Sequence, residues 1–147
     1  MELLLPWRPR WERKAEEREA RLPARGEKAA RARKAEEAVV RWMWKRGFRI
    51  LARNVRNRFG ELDIVAERRG KLIAVEVRSY VTGNPRPSGV ISRRKVGRVW
   101  RALRRFQKLR HSSLGHLQLA VYVAEAEYSL DGQLVGIRLV SAAPADT

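Results

Sequence analysis

The segment from Glu61 to Arg78 constrains the fold of this chain more than any other, because its pattern predicts two strands joined by a tight turn. Glu61–Glu67 and Lys71–Arg78 are rich in strand-forming residues, and in each predicted strand residues two positions apart share a face. Arg69 and Gly70 lie between these runs and are typical of a two-residue hairpin loop. Such a loop fixes the register of the two strands, and a slip of one residue would reverse every side chain.

This register predicts a polar cluster on one face of the hairpin. It sets Asp63 opposite Glu76, with Cβ atoms roughly 4.5–5.5 Å apart, and Glu61 opposite Arg78. Two facing carboxylates repel each other, and a divalent cation with oxygen ligands would offset that repulsion. A cation there generates hydroxide and neutralises charge on a phosphate, and Arg78 can stabilise the same charge. The alternative is that both carboxylates only pair with neighbouring arginines.

The remaining pattern predicts two helices and three further strands around this hairpin. The order is helix, three strands, helix, two strands, which indicates an α/β fold with a mixed sheet. The alternation predicts that Leu62, Ile64 and Ala66 share one face, and Tyr80–Gly89 is predicted to be a loop. The remaining predicted elements are a helix over residues 27–46, a strand over 48–55, a helix over 92–110, and strands over 117–124 and 133–140.

The first helix carries two carboxylates with different expected surroundings. Glu36 lies three and seven residues before Val39 and Met43, so it borders the buried stripe and needs a partner. Glu37 is predicted to face solvent, where Arg41 and Lys45 follow at four-residue steps. Residues 1–27 precede the predicted domain at 28–147 and are expected to be a basic extension, either a solvated helix or disordered.

The charge of the chain indicates a polyanionic partner. The formal net charge is +17, and no carboxylate occurs between Glu76 and Glu125. Nucleic acid is the expected partner, although general solubility or adaptation to heat would also produce a basic chain. From Glu125 onwards the sign reverses, with Arg138 as the only basic residue. The residues predicted to contact nucleic acid are Arg56, Arg58, Arg93, Arg94, Lys95, Arg98 and Arg101.

The chain has no cysteine, which excludes disulfides and thiolate metal sites and suits a reducing compartment. No stretch is long and apolar enough to predict a membrane span, and the first residues do not resemble a signal peptide. We therefore expect a cytoplasmic protein that does not act on membranes.

Three sequence blocks resemble the YraN family of bacterial proteins, whose function is uncharacterised. They are Gly47–Asn54, then Gly60-Glu61-Leu62-Asp63-Ile64-Val65-Ala66, and then Val75-Glu76-Val77-Arg78. The family is similar to archaeal Holliday-junction resolvases and to the PD-(D/E)XK, or restriction-endonuclease-like, nucleases. The resemblance covers residues from about 36 to about 123. It implies a restriction-endonuclease-like mixed β-sheet flanked by helices.

The resemblance also implies roles for particular residues. Asp63 and Glu76 would bind Mg²⁺ or Mn²⁺, and Glu36 would be an acid at the edge of the active site. Arg78 stands where the superfamily usually has lysine, and Gln118 stands where the family has an acid. The expected function is a metal-dependent endonuclease acting on DNA, with branched or junction DNA as a candidate substrate. A homodimer follows by analogy alone.

The two departures favour another hypothesis, a non-catalytic nucleic-acid-binding module that keeps the nuclease fold. Retention of Glu36, Asp63 and Glu76 favours catalysis, because a protein that only binds phosphate gains nothing from acids facing it. A basic protein associated with RNA or the ribosome fits the charge but does not explain these carboxylates.

Overall fold

The short turn at Arg69 and Gly70 organises the sheet as the sequence predicts. Both residues have positive φ, +49° and +79°, which is the signature of a type I′ hairpin turn. The computed structural model describes residues 26–83 and 92–142 of the chain. The elements are α1 (Gly26–Lys45), β1 (Arg49–Asn57), β2 (Gly60–Arg68), β3 (Lys71–Val81), α2 (Arg93–Leu109), α3 (His111–Leu114), β4 (Gln118–Tyr128) and β5 (Leu134–Ser141).

The five strands form one mixed sheet in the order β1-β2-β3-β4-β5. Only β3 and β4 are parallel among neighbouring strands of this sheet, and α2 lies in the chain between them. The other neighbours are antiparallel, so the sheet combines two hairpin regions with one helical crossover. This architecture confirms the predicted α/β class and is consistent with a restriction-endonuclease-like fold.

A helix covers each face of the sheet, and β3 supplies the core on both sides. Leu72 and Ala74 pack in a cluster with Val99 and Leu103 of α2. The alternate residues Ile73 and Val75 pack in a second cluster with Val39 and Met43 of α1. The near-continuous apolar run of β3 follows from burial on both faces.

The prediction that Leu62 shares a face with Ile64 and Ala66 is wrong. Leu62 packs in the cluster beneath α2, whereas Ile64 and Ala66 pack beneath α1. The regular alternation of β2 is therefore interrupted between Leu62 and Ile64. Asn54, between the register partners of these two residues on β1, has a φ of +50°, a conformation that non-glycine residues rarely adopt. Asp63 lies at the point where β2 changes from one layer to the other.

Other element bounds differ from prediction by a few residues. β3 continues to Val81, so Tyr80 belongs to a strand and not to the predicted loop. Its hydroxyl group donates to Glu127 Oε1 over 3.3 Å, a partner on β4 that the sequence pattern did not reveal. The predicted N-terminal extension, apart from the residues that begin α1, lies outside the described residues. None of the helices in the described ranges is long and apolar enough to cross a membrane.

Candidate metal and nucleic-acid site

Asp63 lies where β2 and β3 begin to separate. The pairing of these strands runs from Arg68–Lys71 to Ile64–Val75, which confirms the predicted register up to the residues next to Asp63 and Glu76. Asp63 Oδ2 accepts a hydrogen bond from the backbone N–H of Val77 over 2.9 Å. The carboxylate therefore takes the place of a backbone acceptor at the end of the described ladder, which fixes its position against β3.

The surroundings of Asp63 disfavour its negative charge. Burial raises the pKa of its carboxyl group to about 7, and repulsion from Glu76 and then Glu36 acts in the same direction. The N–H of Val77 and the ammonium group of Lys95 oppose the increase. The three carboxylates implied by the resemblance therefore interact electrostatically, although they come from three different elements.

Lys95 provides a positive charge inside this group of carboxylates. Its Nζ atom lies 2.7 Å from Glu76 Oε1, and Glu76 is one of the buried charged residues of the protein. The Lys95 side chain is 46% exposed and that of Glu76 only 10%, so the lysine reaches in from the rim. Lys95 was predicted to contact nucleic acid, and its contact with the candidate metal ligand is a finding that the spacing of α2 could not reveal.

Arg78 lies two residues beyond Glu76 on β3 and is in register with Glu125 of β4. Glu125 is only 5% exposed, and its Oε1 lies 3.6 Å from Nε of Arg138 on β5. Glu125 was not among the predicted site residues, because the predicted strand ended at residue 124 and its partner Arg138 lies on another element. Together these residues form a row of alternating charge across β3, β4 and β5, next to the carboxylate pair.

Glu61 is not positioned as the predicted cluster required. Its carboxylate forms an ion pair with Arg56 of β1, its register partner in the neighbouring strand. Both side chains are largely exposed, at 58% and 80%. The charge of Arg56, one of the residues predicted to contact nucleic acid, is therefore partly neutralised by Glu61. The Glu61 side chain is directed toward β1.

Glu37 does not face solvent with Arg41 and Lys45, as the helical spacing suggested. It accepts a hydrogen bond from Arg53 Nη1 of β1 over 2.8 Å. The Arg53 side chain is 1% exposed and that of Glu37 25%. Helix spacing compares residues only within α1, whereas the partner comes from another element. This contact joins α1 to the sheet and is structural.

The basic residues gather beside the carboxylates along α2 and the β1–β2 turn. Asn57 Nδ2 donates to the carbonyl oxygen of Ala102 over 3.1 Å, which attaches the turn to α2. A Cβ atom built on Gly60 would lie 3.9 Å from Cβ of Arg98, so the turn and the helix are close neighbours. Arg58 extends over the Phe59 ring at 4.8 Å. The predicted residues that line the exposed side of α2 are Arg93, Arg94, Lys95, Arg98 and Arg101.

The first turn of α2 carries positive charge where a helix favours negative charge. Ser92 caps the helix through its Oγ atom, which accepts from the N–H of Lys95 over 3.2 Å. No acid occurs in the first turn, and Arg93, Arg94 and Lys95 occupy it. Cations there oppose the helix dipole, and an anion bound at this helix terminus would offset that repulsion.

The donor set suits a hard divalent cation with water in its coordination sphere. Within residues 26–83 and 92–142, no group of three or more His, Cys, Asp or Glu side chains is arranged to hold a metal ion. Magnesium commonly takes one or two protein carboxylates and keeps several waters, so the Asp63–Glu76 pair meets that requirement. The elevated pKa of Asp63 is a further sign that positive charge is needed there.

The Gln118 departure does not touch this group of carboxylates. Gln118 is in register with Lys71, whereas Glu76 is in register with Val123, five residues further along β4. That separation corresponds to about 16 Å along a strand. The missing acid at Gln118 therefore says little about catalysis at Asp63.

Comparison with known proteins agrees with the sequence blocks that flank the site. A profile of the uncharacterised protein family UPF0102 matches residues 35–126. The chain belongs to this family. A UPF0102 protein of Pseudothermotoga lettingae is 38% identical over 107 residues, which are 71% of this chain and 82% of the relative. A UPF0102 protein of Maricaulis maris is 36% identical over 103 residues, which are 65% and 74% of the two chains. The resemblance to YraN-type proteins is thereby confirmed, and the UPF0102 match includes Glu36, Asp63, Glu76, Arg78 and Lys95.

Proposed function

We propose that this UPF0102 protein is an endonuclease that acts on DNA and depends on Mg²⁺ or Mn²⁺. The observation that carries the proposal is the placement of Asp63. Its half-buried carboxylate lies within electrostatic reach of Glu76 and Glu36, and desolvation together with these two charges raises its pKa to about 7. A fold gains no stability from such an arrangement, and strongly perturbed carboxylates are typical of functional sites.

Asp63 and Glu76 are the residues that would hold the cation. When bound, the cation supplies a water of lowered pKa and neutralises charge on the scissile phosphate. Val77 fixes the Asp63 carboxylate through its N–H group, so one Asp63 oxygen remains available for binding. Glu36 adds negative charge from α1, which favours retention of a divalent cation at the pair.

Positive side chains beside the carboxylates would orient the nucleic acid. Arg78 follows Glu76 on the same strand face, where its guanidinium group can donate two hydrogen bonds to phosphate oxygens. The first turn of α2 and the β1–β2 turn present further cations on the same side. These cations would hold a phosphate backbone against the carboxylates in spite of the negative charge of both groups.

DNA, and branched DNA in particular, is proposed from the similarity of the YraN family to junction resolvases. The basic surface by itself recognises a phosphate backbone without distinguishing one nucleic acid from another. The experiment that tests the proposal therefore compares several forms of DNA and matched RNA as substrates.

A second candidate function is nucleic-acid binding without cleavage. The ion pair between Lys95 and Glu76 favours it, because the ammonium group already compensates one of the two carboxylates. Under this alternative the carboxylates have no catalytic role, and the basic surface binds nucleic acid without cleavage.

The deciding experiment is cleavage of labelled duplex, single-stranded and four-way-junction DNA, and of matched RNA, with Mg²⁺, Mn²⁺ or EDTA. We expect cleavage that requires metal and is lost in Asp63→Asn and in Glu76→Gln, while binding persists. Asp131→Asn is the matched control, because Asp131 is an exposed carboxylate on the β4–β5 turn. Tight binding without cleavage under any of these conditions would overturn the enzyme proposal and favour the binding module.

A further inference from the structure

We propose that Lys95 is an exchangeable counterion that couples metal binding to nucleic-acid binding. In the absence of metal its ammonium group is held by Glu76. A divalent cation at the carboxylate pair displaces it, and the released ammonium group then contacts a phosphate of the nucleic acid. Lys95 is thus a positioning residue whose partner depends on the state of the site. The inference rests on the proposed metal site.

The contact geometry supports an exchange of partners. Lys95 Nζ lies 2.7 Å from Glu76 Oε1, which is the distance of a charge-assisted hydrogen bond. The same ammonium group is near enough to Asp63 to lower its pKa. The ammonium group therefore lies in the region that a metal cation bound by both Asp63 and Glu76 would occupy. Two positive groups at that place repel each other, so binding of one disfavours the other.

The position of Lys95 on α2 gives the released side chain a second partner. Lys95 is in the first turn, its side chain is nearly half exposed, and its neighbours Arg93 and Arg94 are exposed cations. A lysine has a flexible stem with a compact charge, so it can swing between a carboxylate and a phosphate without movement of the helix. The Ser92 cap keeps the helix terminus in place during that change.

The consequence is reciprocal coupling between two ligands. Metal releases Lys95 and so strengthens binding of nucleic acid, and nucleic acid that holds Lys95 strengthens metal binding by the same factor. The two ligands would assemble together on the site, and metal-free protein would bind nucleic acid through its other cations alone.

The first test is a double-mutant cycle on DNA affinity in EDTA, with Glu76→Gln and Lys95→Met. We expect Glu76→Gln to tighten DNA binding, because it frees Lys95 and removes a negative charge. In the Lys95→Met background the gain should be at least about fivefold smaller, since only the charge effect remains. Arg94→Met is the matched control, and its effect should be the same with and without Glu76→Gln. Equal gains from Glu76→Gln in the presence and absence of Lys95 would overturn the proposal.

The second test measures Mn²⁺ affinity by titration calorimetry. We expect Lys95→Met to bind Mn²⁺ about fivefold or more tightly than wild type without DNA, because the internal competitor is gone. Adding a short duplex should tighten Mn²⁺ binding by wild type and not by the variant. Unchanged Mn²⁺ affinity in Lys95→Met would overturn the inference alone. No Mn²⁺ binding by wild type, by Lys95→Met or by either with DNA would overturn the proposed metal site as well.

Discussion

At the scale of a single residue, interactions of two kinds shift the pKa of the Asp63 carboxyl group in opposite directions. Its Oδ2 atom accepts the N–H of Val77, which favours the ionised form, while burial and Glu76 favour the protonated form. The second influence is larger, and the pKa rises from 3.8 to about 7. The folded protein therefore binds this proton more tightly than the unfolded chain does, and its stability must depend on pH.

The first prediction concerns Asp63→Asn. Below the ordinary pKa of 3.8 the proton is bound in both states, and from there to about 7 ionisation increasingly opposes folding. The free energy of unfolding of wild type should fall over this interval by up to about 1.4 kcal/mol for each unit of pKa change. The amide of Asp63→Asn still accepts from Val77 but does not titrate. We expect the variant to be the more stable protein at about pH 8, by a few kcal/mol in EDTA.

Urea unfolding at several pH values between about 4 and 8 measures this difference. Asp131→Asn is an informative contrast, because the Ser129 hydroxyl group holds the pKa of Asp131 below its ordinary value. Stability linked to Asp131 is therefore present above that ordinary value and is lost as the pH falls. Identical pH profiles for wild type and Asp63→Asn would show that Asp63 has an ordinary pKa.

The second prediction is that a bound metal ion offsets the destabilisation of the folded protein by the ionised Asp63 carboxylate. Mn²⁺ should raise the melting temperature of wild type at about pH 8 and have little effect at about pH 5, where a proton occupies Asp63. Thermal unfolding of wild type and Asp63→Asn with Mn²⁺ or EDTA tests it. A similar increase in both proteins would place the cation elsewhere.

The sequence located the carboxylate pair but not the whole site. A two-residue turn fixed the relation of Asp63 to Glu76, since register within a hairpin follows from loop length. The ion pair of Lys95 with Glu76 depends on how α2 rests on the sheet, and no spacing within the helix contains that information. Contacts between elements far apart in the chain were the ones that sequence reasoning missed.

At the scale of elements, α1 is joined to β1 by an ion pair in the interior. Arg53 has a nearly inaccessible side chain, and its Nη1 atom donates to Glu37. The Nε and Nη2 atoms of the same guanidinium group are buried without a hydrogen-bond partner. Glu37 therefore compensates the buried positive charge of Arg53. Its loss should lower the free energy of unfolding far more than the loss of an exposed ion pair does.

The third prediction compares two ion pairs of β1. Glu37→Gln leaves Arg53 without its counter-charge and should lower the free energy of unfolding by about 3 kcal/mol. Glu61→Gln breaks the exposed pair with Arg56 and should cost less than about 1 kcal/mol. Adding Arg53→Met to Glu37→Gln should recover much of the loss, because the buried charge is then absent. Equal costs for the two Glu→Gln variants would contradict this account.

The elements themselves could be predicted because their patterns are local. The predicted helix over residues 92–110 agrees with α2 within one residue at each end, and β2 and β3 were bounded by their turn. The predictions were wrong where the local backbone departs from the regular strand conformation. Asn54 has a positive φ that residue type alone did not indicate, and Leu62, on the neighbouring strand, packs on the face opposite to Ile64.

At the scale of the whole molecule, the positive and less basic surfaces are kept apart. The cations of α2 and of the β1–β2 turn lie together beside the carboxylates. The β4–β5 hairpin carries Glu125 and Glu127, and its Arg138 already faces Glu125. The cations beside the carboxylates would attract a polyanion to that side of the sheet.

The fourth prediction follows from this separation of charge. A lysine or arginine that contacts phosphate releases about one condensed counterion, so removing it lowers the slope of log affinity against log salt by about 1. Arg98→Ala should show that change, because Arg98 lies beside the β1–β2 turn on the exposed side of α2. Arg138→Ala removes the same formal charge from β5, where the side chain already faces Glu125, and its slope should match that of wild type. Equal changes in both variants would mean that net charge alone drives binding. A change for Arg98 alone would mean that the nucleic acid lies along α2, where its phosphates can reach the carboxylates.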